Sequence, residues 1–162
     1  MTREHMEGFV LEMYGNSKSV AEYIDHFLNP EKGKESLVKY KKVILKEFYP
    51  NNPSNANLNF SVAKKAIKDF AALQPDPLYL GELMIYLPDL ACKYTNEHGD
   101  MYSIYYTKTE SCFHLAMSYI SDHGLLDIFK EHAKRCVHNS RRCGYNFSDY
   151  MQKAFLKYYP ET

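Results

Sequence analysis

The chain is predicted to be all-α: seven or eight helices joined by short loops, folded as a compact bundle or a short helical-repeat-like array. Three observations support this. Every long segment places its apolar residues three and four apart, and none alternates with the period of a half-buried strand. Hydrophobic residues make up 45% of the 162 positions, enough for a substantial core in one domain. Seven glycines and seven prolines are too few for the many turns of a sandwich or barrel.

Arg3 to Tyr14 opens the chain with Met6, Phe9, Val10 and Met13 on one stripe, and Gly15 is placed to stop it in a left-handed turn. Asn16 or Ser17 then caps a second helix carrying Val20, Ala21, Tyr23, Ile24, Phe27 and Leu28, with Pro30 at its end. Residues 1–30 thus read as a helical hairpin within a single domain, 1–162, whose other helices occupy 31–162. The third helix, Glu31 to Tyr49, points Leu37, Tyr40, Ile44 and Phe48 inward and lysines outward until Pro50. Residues 50–59 have the Asn and Pro content of a connector. Ser61 is the expected cap of a helix with Val62, Ala63, Ala66, Ile67, Phe70 and Leu73 on its buried side.

The central stretch is Asp76 to Tyr94. Leu80, Leu83, Met84, Leu87, Leu90, Ala91 and Tyr94 form a broad buried face, Asp76 is a natural N-cap, and Pro77 sits where its missing N–H costs nothing. Pro88 lies inside the pattern and predicts a kink or break. Asn96, His98 and Gly99 then make a turn. Asp100 or Ser103 begins a helix with Tyr105, Thr109, Cys112, Phe113, Ala116, Met117 and Ile120 buried, stopped by Gly124. Leu126, Phe129, Ala133, Cys136 and Val137 mark another that reaches Gly144. Ser148 caps the last, which buries Met151, Ala154, Phe155 and Tyr158.

Net charge is zero but unevenly spread. Residues 1–30 hold five acids and two bases, 31–69 four and nine, 70–127 eight and two, and 128–162 three and seven. Basic segments packed against acidic ones explain this better than opposed steering faces. No stretch has eighteen apolar residues in a row and the N-terminus has no basic-then-apolar leader, so no membrane span is expected and a cytoplasmic location is. In such a chain Cys92, Cys112, Cys136 and Cys143 read as free thiols.

In the middle of the chain the residues form a family pattern. Ser61 to Phe70, Asp76-Pro77, Leu83 to Tyr86, Tyr94 to Asp100 and Tyr105-Tyr106 together resemble an uncharacterised bacterial family of the domain-of-unknown-function 6155 type, found largely in Bacteroidetes. The resemblance spans roughly residues 37 to 159. It implies a helical fold of this length and no assigned activity. Two places depart from the pattern. Tyr102 and Ser103 stand where the family tends to be acidic, which argues against an acidic metal site. A Gly-aromatic-Gly-Phe pattern reads here as Gly144-Tyr145-Asn146-Phe147.

No phosphate loop, nucleophile elbow or dinucleotide fingerprint is present. The Cys and His residues lack the short paired spacings of zinc sites, so no metal or other cofactor is expected. Cys143 is the best-placed thiol, but it falls at an expected helix C-terminus, where the dipole disfavours a thiolate. Glu82, Asp89, Glu97, Asp100 and Glu110 read as solvated acids, without the Glu-x-x-His pairs of di-metal bundles. The candidate binding residues are His98, Asp100, Tyr105 and Tyr106 around the turn, and the basic row Lys64, Lys65 and Lys68. The function expected is non-catalytic binding or scaffolding through protein–protein contacts, which the 15 tyrosines suit. The alternatives are a small enzyme with a non-standard site near 98–106, or a nucleic-acid accessory factor using the basic helices. The second is disfavoured by the zero net charge.

Overall fold

In the computed structural model, which describes residues 1–161, every segment with helical periodicity is a helix. We number them α1 (Arg3–Asn16), α2 (Lys18–Leu28), α3 (Lys32–Phe48), α4 (Phe60–Ala72), α5 (Pro77–His98), α6 (Ser103–Asp122), α7 (Leu126–Asn139) and α8 (Phe147–Tyr158). Single 3-10 turns lie at Pro53–Asn55 and Ser140–Arg142, and there is no strand among the described residues.

Helix α5 is the axis. Asp76 accepts from the Leu78 N–H at 2.9 Å and Pro77 occupies the first turn, as the sequence predicts. Leu83, Leu87 and Ala91 are wholly buried, and Ile85, Pro88 and Cys92 are buried on a further side. A helix with so wide a buried surface must be surrounded. Helices α3, α4, α6 and α7 pack around it, and α8 closes on α6 and α7, so the arrangement is a bundle and not a linear repeat. The helix runs through Pro88 without a break; the apolar surface buried on both sides of that residue offsets its missing backbone bond. It also continues past the expected turn, since Asn96 and His98 remain helical and Gly99, at φ +99°, is the stop.

Several predicted boundaries move, each for a local reason. Gly15 does not stop α1, which continues to Asn16 and ends at the extended Ser17. Asn59, not Ser61, caps α4: its side chain accepts from the Ser61 and Val62 N–H groups at 3.0 and 3.3 Å, which brings Phe60 into the first turn and buries it. Replacing Asn59 by Ala is expected to cost about 1 kcal/mol in a urea melt, the usual value of a cap. Helix α7 ends at Asn139, before Gly144, so Cys143 lies in a loop beyond the 3-10 turn. Ser148 lies inside α8; the residue before that helix is Asn146, in the left-handed region at φ +56°. That backbone is one glycine adopts readily, and Asn is among the side chains that best tolerate it.

The largest departure is at the N-terminus. Every residue of α1 is exposed and α2 buries none fully. Val20, Ala21 and Ile24 are half-covered, whereas Phe27 and Leu28 are among the most exposed apolar residues of the protein. Helix α2 is instead held to the bundle by polar contacts, from Asp25 to Lys32 at 3.0 Å, Glu22 to Lys39 at 3.5 Å, and His26 to Ser36 at 2.8 Å. The ion pairs Lys32–Asp25, Lys39–Glu22, Lys41–Glu82 and Arg135–Asp89 each join a basic segment of the sequence to an acidic one. The uneven charge is therefore used, at least in part, in helix packing.

Candidate functional site

Three polar regions and one apolar one stand out from the bundle. The first is the loop between α5 and α6, where the sequence singles out His98, Asp100, Tyr105 and Tyr106. Asp100 Oδ1 accepts from the backbone N–H groups of Met101 and Gly144, both at 3.1 Å, and from the Tyr106 hydroxyl. The hydroxyl bond, followed by those from Gly144 and Met101, holds the Asp100 carboxyl below its usual range. Tyr106 stacks on Phe147 at 4.9 Å, and burial pushes its hydroxyl well up. Tyr105 is buried and donates to the Ala91 carbonyl at 2.9 Å. A Cβ on Gly144 would collide with the Asp100 carboxylate. Asp100, Tyr106 and Gly144 to Phe147 thus meet in one latch between the α5–α6 loop and the start of α8, whereas Tyr105 turns to α5 and to Phe60 of α4. His98 stands apart from it, exposed and stacked at 4.1 Å on Tyr94.

The basic row is separate again. Lys64, Lys65 and Lys68 are exposed on α4, and Lys65 pairs with Asp69 at 2.6 Å. No hydrogen bond or ion pair among the described residues joins them to the latch.

A polar cleft between α3, α5 and α7, which the sequence did not single out as a site, has a volume of about 180 Å³. Glu82, Tyr86 and Asp89 recur on one face of α5 and meet His132, Arg135 and Cys136 of α7, with Lys41 reaching in from α3. Arg135 donates to Asp89 Oδ2 from Nε and Nη2 at 3.0 and 2.8 Å, Asn139 reaches the other oxygen at 3.3 Å, and Lys41 pairs with Glu82. Burial, then the charge of Arg135, lowers the His132 pKa and so favours its neutral imidazole. The i, i+3, i+7 spacing of Glu82, Ile85 and Asp89 was the available signal, hidden because the same face carries core residues. Glu97 and Glu110 lie elsewhere, paired with Tyr49 and His114, so the five acids do not gather at one end of α5.

The thiols are not activated. Burial raises Cys92 and Cys136 well above the ordinary value, and Cys143, half-buried, is pushed up to about 11. Among the described residues no three His, Cys, Asp or Glu side chains converge to hold a metal ion.

The apolar region is α1. Met6, Phe9, Val10, Met13 and Tyr14 lie on one stripe and are between 36 and 57% exposed, with Leu11 beside them at 72%. The helix contains one base, Arg3, and three acids, and it is the one helix of the eight without a lysine. No helix among the described residues is long and apolar enough to cross a membrane.

No curated protein and no solved structure shows significant similarity to the chain. A family of unknown function, DUF6155, matches residues 1–154. That match begins well before the resemblance visible from residue 37, and it takes in α1 and α2 with the bundle. The chain therefore belongs to DUF6155, a family to which no function has been assigned.

Proposed function

We propose that this is a non-catalytic binding protein of the cytoplasm that acts through contacts with protein chains, and that α1 is its contact surface. The observation that carries this reading is that no residue of α1 is buried, although α1 packs on α2, together with its apolar stripe. A helix of 14 residues that fully buries no side chain within its own chain is marginal in water, and Gly8 and Gly15 each weaken it by about 1 kcal/mol relative to alanine. A covering partner supplies the missing burial. The enzyme alternative near 98–106 draws less support, because Asp100 and Tyr106 are engaged in holding two loops together.

The test compares the full chain with one starting at Ser17, as baits in a bacterial lysate. The shortened chain should melt within a few degrees of the parent, since α1 buries no core residue, and should lose the captured partners. Capture that is unchanged by removing α1 would refute the reading.

A further inference from the structure

Resting on that reading of α1, we infer that the partner is a second copy of this chain, its α1 lying antiparallel against the first across a two-fold axis. The stripe Met6, Phe9, Val10, Met13 has the spacing 0, 3, 4, 7, which is the same read in either direction. Antiparallel pairing centred between residues 9 and 10 sets Met6 against Met13 and Phe9 against Val10 at both ends. One patch therefore serves both copies, as a two-fold interface requires.

Charge agrees with this direction. The last turn of α1 has no basic residue to complement the negative end of its dipole. In the antiparallel pair Arg3 of each copy falls beside Asn16 of the other and supplies that charge, while the helix dipoles oppose. Area agrees too. At ~200 Å² for each large side chain, the exposed apolar surface of α1 is on the order of 500 Å². Two such patches reach the roughly 1,000 Å² at which specific interfaces begin, so the dimer is a weak one. The absence of lysine and the presence of Met, Phe and Tyr match the composition of interface cores. A membrane is a poorer occupant, since the three acids of α1 are repelled by anionic headgroups.

The experiment is sedimentation equilibrium of the full chain over a wide concentration range, with Phe9→Glu as the test variant and Phe27→Glu, exposed but outside α1, as the control. The parent and Phe27→Glu should show a monomer–dimer equilibrium with the same Kd. Phe9→Glu should weaken it at least tenfold with an unchanged far-ultraviolet spectrum. Direction is read by mild oxidation of two single variants. Val10→Cys lies almost on the axis and should form an intermolecular disulfide. Met6→Cys should not, because seven residues of helical offset separate the copies by about 10 Å.

A parent that is monomeric at every concentration overturns the inference, as does a dimer indifferent to Phe9→Glu. Bridging at both positions means parallel pairing and also overturns it. If the monomeric parent binds phosphatidylglycerol vesicles and Phe9→Glu does not, the occupant is a lipid surface. The lysate comparison separates the two failures: a monomeric parent whose capture depends on α1 sinks only the second copy, and one whose capture does not depend on α1 sinks the contact surface as well.

Discussion

Leu83→Ala and Leu87→Ala are each expected to lower the unfolding free energy by about 2 to 5 kcal/mol, measured by urea denaturation at neutral pH. Both side chains are wholly buried on α5, one turn apart, at the centre of the packing between α5 and its neighbours. Removing either loses transfer free energy and leaves a cavity that rigid helices on every side cannot collapse into. The adjacent Glu82 gives the contrast. It pairs with Lys41 across helices, and both side chains are about one-third exposed. Glu82→Gln should therefore cost only about 0.5 kcal/mol, the value of a solvated ion pair. The two leucines share neighbours, so the double variant should depart from the sum of the singles. Parent-like melts for both single variants would mean that α5 is not the axis of the fold.

Gly144→Ala should lower Tm by about 5 °C, a large effect for one methyl group in a half-buried loop. The backbone at Gly144 does not require glycine, since its φ is not in the left-handed region. The cause is the neighbour: the new Cβ would occupy the position of the Asp100 carboxylate and displace it from three donors. If this is right, Gly144→Ala and Asp100→Asn will not add, because each disrupts the same latch. The latch is also sensitive to acid. The Asp100 carboxyl titrates lower in the folded chain than in the unfolded one, so its stabilisation is present above the ordinary carboxyl range and is lost as pH falls through the folded value. The difference in Tm between the parent and Asp100→Asn should therefore be largest at neutral pH and close in acid. A gap that stays constant down to pH 2 would show that the carboxylate charge is not what matters.

Helix positions were legible in the sequence wherever burial follows a 3.6-residue period. All seven residues named for α6 are buried, as are the four named for α3. Caps were harder to read, because Asn59 and Ser61 are both capable residues and the choice depends on whether Phe60 finds a pocket in the core. The N-terminal stripe misled for a different reason. An apolar period states that a face wants cover, but not that the same chain provides all of it, and in α1 helix α2 covers the stripe only in part. The polar cleft was hidden because Glu82 and Asp89 lie 41 to 50 positions from the α3 and α7 residues they bond, a separation at which no local pattern remains. The latch was visible only as a pattern of residues, with Asp100 and Gly144 placed together by the fold.

The end of α8 has a consequence for where this domain can be cut. The family match stops at Ala154, yet Phe155 is buried in the core and the Tyr159 hydroxyl donates to the Leu126 carbonyl at 2.6 Å, holding the start of α7. The matched region and the packed bundle therefore end at different residues. A protease or an engineer that trims the chain after Ala154 would remove an anchor of the bundle, whereas the same number of residues taken from the other end would leave every buried side chain in place.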